Sequence, residues 1–256
     1  MNHPIDLDDE VKKAIQYFWN SRAKQGNKQG ARSGLKDQGS RREVTGGGQM
    51  DGFVDLITIL LCQYGLNESD IHTKKGYTDI PGWFRSEKQW DVLVIKDKIL
   101  IAAKELKSHI GPSFGNNINN RTEEALGNST DFLAAYREGA FSPATRPWLG
   151  YLMLLEDSEK STRPVKVRES HFQTFDEFRK RILDGKQLKY GSTYEDRYIV
   201  LCTKLMRERL YDSTCLLMSD KTNGLNGDYR EPSPELCYVN FASSLISRVI
   251  AFTRMR

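Results

Sequence analysis

The stretch that decides the fold runs from Trp90 to Ser108 and reads WDVLVIKDKILIAAKELKS. It contains two β-rich runs, 90–96 and 99–108, joined by the short turn Asp97-Lys98. The interiors of both runs are apolar without alternation, which is typical of central strands that are covered on both faces. We therefore expect an antiparallel pair of strands in the middle of a sheet.

Three polar residues interrupt these apolar runs, and an unpaired buried charge is costly enough to require a reason. Asp91 opens the first run, while Glu105 and Lys107 close the second. Residues two apart on a strand share a face and lie about 6.6 Å apart. Folding at the turn brings Asp91 opposite residue 103, 104 or 105, and the sequence leaves that register open. In each case the three polar groups converge at one end of the two strands.

Two converging carboxylates repel each other unless a cation lies between them, and hard oxygen ligands favour Mg²⁺. Such an ion polarises a phosphate and lowers the pKa of a bound water. Lys107 would hold that water or stabilise charge on phosphorus, and the nearby acids should keep it protonated. The alternative is structural: a salt-bridged strand end in which Glu105 and Lys107 are rim charges.

The rest of the chain predicts a mixed α/β domain around this sheet, a single unit spanning residues 1–256. Helical periodicity or apolar runs mark elements on either side of it. We expect helices over 6–22, about 50–61, 122–126, 131–137, 194–211 and 235–253, strands over 149–155 and 214–219, a polar loop over 111–120, and a charged surface excursion over 158–193.

Residues 21–48 form the most basic segment. They contain seven glycines and seven Lys or Arg residues against only Asp37 and Glu43, and no apolar period runs through them. We interpret this segment as a mobile basic loop. A solvated linker and an arm that becomes ordered on phosphates explain it equally well.

Composition excludes several classes of protein. The 256 residues are 38% hydrophobic, which is enough for a core, and the net charge of +4 permits a polyanionic partner without requiring one. The four cysteines show neither metal-type pairing nor a disulfide scaffold. The acidic start does not resemble a signal peptide, and the longest apolar stretch, 54–66, is too short to span a bilayer. We therefore expect a cytoplasmic protein with no membrane partner.

A nucleotide cofactor is not expected either. The glycine-rich stretch 30–36 lacks the spacing of a phosphate-binding loop, because no Gly-Lys-Ser/Thr follows a strand. The four histidines are scattered along the chain, which argues against a histidine-metal nuclease.

The strand pair resembles the PD-(D/E)xK nuclease core, and the wider sequence resembles the XhoI-type type II restriction endonucleases over about residues 46–218. One departure is Trp90, which stands where the superfamily's name has proline. The motifs that carry the likeness are GQMDGF (48–53), PGWFR (81–85), KQWD (88–91), ELKS (105–108), GPSFGNN (111–117), NNRTEEALG (119–127), YREGAF (136–141) and RERLYD (207–212).

This resemblance implies a restriction-endonuclease-like fold, a mixed sheet flanked by helices. It makes Asp91 and Glu105 the Mg²⁺ ligands, with the Leu106 carbonyl as a further donor, and Lys107 the catalytic lysine. It implies hydrolysis of double-stranded DNA at CTCGAG after the first C, leaving 5′-phosphates. A palindrome favours a homodimer in which each subunit reads one half-site. The alternatives are a repair or structure-specific nuclease of the same superfamily and a non-catalytic DNA-binding module.

Base reading requires planar donor and acceptor groups such as Asn, Gln and Arg. The polar stretch after the second strand is rich in them, whereas an Asn-rich turn with a helix cap at Asn120 explains only one or two. The candidates for DNA contact are Ser113, Asn116, Asn117, Asn119, Asn120 and Arg121, with Arg41, Arg42 and Gln49 as weaker ones. Glu43, Asp51 or Asp55 would add an acid to the site, although a solvated face explains each equally well.

Overall fold

The computed structural model describes residues 6–30, 48–184 and 187–254. Its helices are α1 (Leu7–Gly30), α2 (Asp51–Gln63), α3 (Phe114–Arg137), α4 (Glu159–Thr162), α5 (Tyr194–Arg207) and α6 (Tyr238–Arg254). Its strands are β1 (Ile71–His72), β2 (Asp79–Pro81), β3 (Glu87–Gln89), β4 (Val92–Lys96), β5 (Ile99–His109), β6 (Trp148–Glu156), β7 (Val165–Lys166), β8 (Lys180–Asp184), β9 (Gln187–Ser192) and β10 (Ser213–Ser219).

The described residues build a central five-stranded sheet in the order β1-β4-β5-β6-β10. Strands β4 and β5 are antiparallel, whereas β5, β6 and β10 run parallel to one another. Both faces are covered: α1, α2 and α6 pack on one, and α3 and α5 pack on the other. The expected α/β class, a mixed sheet between helices, is confirmed.

The β4–β5 hairpin contains a β-bulge that sets its register. Lys96 pairs with Ile99 across a two-residue turn, but beyond Ile95 the pairing shifts by one residue, so that Val92 lies opposite Lys104. The extra residue on β5 is Ile101, and the shift places Asp91 at the level of Glu105. A regular hairpin would have placed Asp91 opposite Lys104, on the other face of the sheet.

Two expectations about loops were wrong. The stretch 111–120 is not a loop throughout, because α3 begins at Phe114 and continues without a break to Arg137. The basic segment is helical at its start, since α1 extends to Gly30. Asparagine and glycine have poor intrinsic helix propensity, and here tertiary packing overrides it. Residues 31–47 of the segment lie outside the described residues.

The excursion 158–193 contains structure of its own. It comprises α4 and a three-stranded antiparallel sheet in the order β7-β9-β8. A separate two-stranded hairpin, β2–β3, precedes β4 and packs beside α3, with Ile80 in the same buried cluster as Phe132.

One buried charge-bearing residue stands out in the core. Lys104 of β5 is fully buried, and among the contacts of the described residues its Nζ has no hydrogen-bond partner. Burial lowers the pKa of Lys104 well below its ordinary value, because desolvation disfavours the charged amine. No helix in the described residues is both long enough and apolar enough to cross a lipid bilayer.

Candidate active site

The three residues singled out in the strand pair meet at one end of β4 and β5. The bulge places Asp91 opposite Glu105, and the Asp91 amide donates to the Lys104 carbonyl at 3.2 Å. Lys107 Nζ lies 2.9 Å from Glu105 Oε1 and 3.7 Å from Asp91 Oδ2. One ammonium group therefore contacts both carboxylates, on one face of the sheet.

Asp91 is fixed by the neighbouring strand yet open to solvent. Its Oδ2 accepts a hydrogen bond from the Leu106 amide at 2.8 Å, which orients the carboxylate along the sheet edge. Its side chain is nevertheless 41% exposed, against 1% for Glu105. The pair is thus asymmetric, with one buried carboxylate and one that reaches solvent.

Glu105 is held by a set of donors that encloses it. Asn128 Nδ2 on α3 lies 2.8 Å from each carboxylate oxygen, Lys88 Nζ lies 3.4 Å from Oε1, and the Tyr211 hydroxyl lies 3.4 Å from Oε2. Burial alone would raise the pKa of Glu105, but the charges of Lys107 and Lys88 and these hydrogen bonds outweigh it and lower the pKa. Glu105 is ionised at neutral pH.

The same balance keeps Lys107 charged. Burial favours the neutral amine and would lower its pKa, but the negative charges of Glu105 and Asp91 more than compensate. The pKa of Lys107 is raised, so the site holds two carboxylates and a protonated lysine side by side.

A cleft of about 880 Å³ opens onto this group from between the two helical layers. Asp91, Lys107 and Arg121 line it, together with Asp51 and Asp55 from α2. Burial and the neighbouring Asp55 raise the pKa of Asp51. The volume of the cleft is sufficient to admit a phosphate group beside Lys107.

A divalent metal fits the chemistry of this site. Among the described residues, no group of three or more His, Cys, Asp or Glu side chains is placed to hold a metal ion, and Asp51 and Asp55 form no such group with Asp91 and Glu105. Asp91 and Glu105 offer hard oxygen donors beside a solvent-filled cleft, which suits Mg²⁺ because that ion keeps several of its waters. In this structure the ammonium of Lys107 compensates the charge of the pair.

The asparagines predicted to contact DNA lie on α3, whose first turns border the cleft. Asn116 and Asn119 line a groove of about 860 Å³ that faces α5, whereas Arg121 lines the cleft itself. Asn117 is half-buried one helical turn before Arg121, and Asn120 is exposed. The helix therefore divides these residues between two faces instead of presenting them together.

The remaining candidates have varied positions. Ser113 is exposed immediately before α3, and its carbonyl lies 3.3 Å from His109 Nε2. Gln49 borders the cleft but is buried, and its side-chain amide bonds Arg22 and Gln25 of α1 at 3.0 Å each. Arg41, Arg42 and Glu43 lie outside the described residues.

Three residues around Glu105 escaped the sequence reasoning: Lys88, Asn128 and Tyr211. Lys88 and Tyr211 stand inside the quoted motifs KQWD and RERLYD, but nothing in those motifs shows what they touch. Asn128 carried a weak signal, because it is a polar residue two helical turns after Arg121 and next to buried positions of α3.

Comparison with known proteins finds one family model and several named relatives. The family model described as restriction endonuclease XhoI matches residues 28–231. The chain is 50% identical over 219 residues to the type II restriction enzyme BstVI of Geobacillus stearothermophilus, covering 84% of this chain and 92% of that one. No solved structure gives a significant match.

Two further relatives carry similar names. The type II restriction enzyme AbrI of Azospirillum brasilense is 45% identical over 168 residues, 66% of this chain and 75% of its own. The type II restriction enzyme XhoI of Xanthomonas vasicola is 40% identical over 202 residues, 78% of this chain and 76% of its own.

Proposed function

The chain belongs to the XhoI family of type II restriction endonucleases, and from that membership we propose that it cuts double-stranded DNA at CTCGAG with Mg²⁺ as its cofactor. Cleavage after the first C of each strand would leave 5′-phosphate and 3′-hydroxyl ends. The family makes the protein a site-specific deoxyribonuclease. The DNA sequence that it recognises, the position of the cut and the identity of the metal are the parts that we propose.

The observation that carries the proposal is the contact of Lys107 with both carboxylates at the cleft. Asp91 and Glu105, with the Leu106 carbonyl, would hold the metal, which polarises the phosphodiester and lowers the pKa of the attacking water. Asn128 and Lys88 keep Glu105 oriented and ionised. Lys107, whose pKa is raised by the neighbouring carboxylates, would orient the water and stabilise the negative charge that develops on phosphorus.

The asymmetry of the carboxylates suits this division of roles. Glu105 is immobilised by buried donors, so its position is settled before DNA arrives, and little reorganisation is needed in the reaction. Asp91 faces the cleft, where its carboxylate would be available to hold a metal. A merely structural ion pair would not need one partner to face an open cleft of this size.

The DNA interface that we propose surrounds the cleft on α3. Arg121 would contact the scissile region, and the exposed parts of α3, with Ser113 before it, would meet the groove of the duplex. Arg41 and Arg42 add positive charge in the basic segment, and Gln49 supports that side of the cleft through its contact with Arg22. The residues of α3 that would meet bases or phosphates are Asn116, Asn117, Asn119 and Asn120.

A homodimer follows from the palindrome. Two subunits related by a twofold axis would place one cleft on each strand, which produces a double-strand break from two identical reactions. Light scattering of the protein with and without a CTCGAG duplex measures this stoichiometry.

Plasmid cleavage tests the proposed function. Plasmid with one CTCGAG and Mg²⁺ should give one linear product, and run-off sequencing should place the cut after the first C. Asp91→Ala, Glu105→Ala and Lys107→Ala should each abolish cleavage while the gel shift of the CTCGAG duplex persists. A smear, nicks without linear product, or full activity in all three variants would refute the assignment.

A further inference from the structure

A pair of large aromatic side chains stands in solvent beside the site. The connection between β2 and β3, residues 82–86, carries Trp83 at 54% and Phe84 at 74% exposure. In the part of the chain that the structure describes, no other element covers them. Adjacent exposed aromatics of this size are typical of a contact surface.

The backbone that presents these side chains is firmly anchored. Asp131 Oδ1, buried on α3, accepts the amides of Trp83 and Phe84 at 2.8 and 2.7 Å, and Arg85 Nε lies 2.7 Å from Oδ2. The approach is so close that a Cβ at Gly82 would lie 2.4 Å from Asp131 Oδ2. A surface held this rigidly loses little entropy when a ligand binds.

Asp131 also links segment 82–86 to the active site. Asp131 follows Asn128 by one helical turn, and Arg85 contacts Asn128 Oδ1 at 2.9 Å while Asn128 holds Glu105. At the base of the hairpin, Thr78 and Gln89 line the cleft. The tip is about 10 Å, or three strand residues, from that base. A duplex seated in the cleft would therefore pass beside the aromatic tip.

The charges of the hairpin indicate what kind of contact it makes. Its two cations are already paired, Arg85 with Asp131 and Lys88 with Glu105, and Glu87 adds an exposed negative charge. Such a surface does not favour phosphates. Apolar and aromatic side chains, by contrast, can insert at a base step of a duplex, where the step partly unstacks and the exposed base face stacks on the inserted ring.

We propose that Trp83 and Phe84 form a base-stacking surface that engages the bound duplex next to the cleft. This inference rests on the proposed function, because it needs DNA in the cleft. The PGWFR segment would then contact bases rather than phosphates. It would bind the DNA close to the residues that position Glu105.

The tryptophans provide a direct readout. Trp19, Trp90 and Trp148 are 2–5% exposed, so Trp83 dominates the solvent-accessible emission. Titration with a 20-base-pair duplex containing CTCGAG should quench this emission and protect it from acrylamide. In Trp83→Phe the DNA-dependent change should disappear while anisotropy of a labelled duplex still reports binding. Binding with unchanged Trp83 emission and acrylamide access would overturn the proposal.

Affinity gives a second test. Trp83→Ala/Phe84→Ala should weaken duplex binding about tenfold or more, with the salt dependence of binding unchanged, because no phosphate contact is lost. Phe172→Ala, which removes an aromatic side chain that is 87% exposed on the excursion, is the matched control and should bind as wild type does. Wild-type affinity of the double variant, or a lower salt slope, would contradict base stacking.

Two other outcomes are distinguishable. A double variant that becomes monomeric where the wild type is dimeric would show that the aromatic pair is a subunit contact, and would overturn the proposal. Failure of the wild type to cut CTCGAG, with the Trp83 emission still quenched when that duplex binds, counts against the proposed function alone.

Discussion

Asn128 Nδ2 lies 2.8 Å from both carboxylate oxygens of Glu105, and both residues are buried. A bidentate contact of this kind fixes the plane of the carboxylate, and it comes from a helix rather than from the strand that carries the acid. Asn128 is therefore a positioning residue for Glu105.

We expect Asn128→Asp to lower the cleavage rate by about 10- to 100-fold, because it replaces a donor to Glu105 with a second buried negative charge. DNA affinity should change little, while the Mg²⁺ concentration for half-maximal activity should rise. Single-turnover cleavage across a range of Mg²⁺ measures both effects. Asn226→Asp, an exposed amide-to-acid change, is the control. An unaltered Mg²⁺ requirement in Asn128→Asp would argue that the asparagine has only a packing role.

Gly82 and Gly127 should respond to alanine in opposite directions. At Gly82 the new Cβ would collide with Asp131 and with the Arg85 carbonyl, at 2.4 and 2.9 Å, whereas nothing lies within 4 Å of a Cβ at Gly127 in α3. Gly82→Ala should lower the free energy of unfolding by about 1–3 kcal/mol, and Gly127→Ala should raise it by about 0.5–1 kcal/mol. Urea unfolding of the two variants measures the difference. Equal effects would mean that the segment after β2 is not anchored on Asp131.

Lys104→Met should stabilise the protein. The buried amine has no hydrogen-bond partner within the described contacts, so its desolvation destabilises the folded state. Methionine fills similar space without that penalty. Removing the unpaired polar group should by itself give a gain of about 1–3 kcal/mol. It should grow as the pH falls below 10.5, because the unfolded state then takes up a proton that the folded state does not. Urea unfolding at pH 7 and 9 measures this gain, and Lys221→Met, at an exposed lysine, is the control. A Lys104→Met variant that is less stable than the wild type would instead show that the amine has an essential role.

His109 should make stability depend on pH between about 4 and 6.5. Burial lowers its pKa from 6.5 to about 4, and its Nδ1 lies 2.7 Å from the Tyr198 hydroxyl. The contribution is fully present above pH 6.5 and is lost as the pH falls, since the unfolded chain binds the proton first, with a slope approaching 1.4 kcal/mol per pH unit. Thermal unfolding of His109→Asn should show a shallower slope in this window, and exposed His171→Asn should not. Identical slopes for wild type and His109→Asn would exclude this histidine as the source.

The local sequence pattern was sufficient to predict much of the fold. The unbroken apolar runs 92–95 and 99–103 predict buried central strands because only a sheet covered on both faces buries every side chain of a run. The periodic helices at both ends of the chain were predictable for the same reason, since one apolar stripe must face the core. Where local propensity and packing disagree, as in the Asn-rich start of α3, propensity placed the start of the helix at residue 122, whereas the helix begins at Phe114.

What the sequence by itself determined is the chemical content of the candidate site: an acid at the start of one strand and an acid and a lysine two apart on the next. Only the tertiary structure decided that they share a face. The bulge at Ile101 shifts the pairing by one residue, and since side chains alternate along a strand, that single residue puts Asp91 beside Glu105 instead of Lys104. The donors that surround Glu105 come from elements that are 17 to 106 residues away in the chain, and no local spacing encodes their approach.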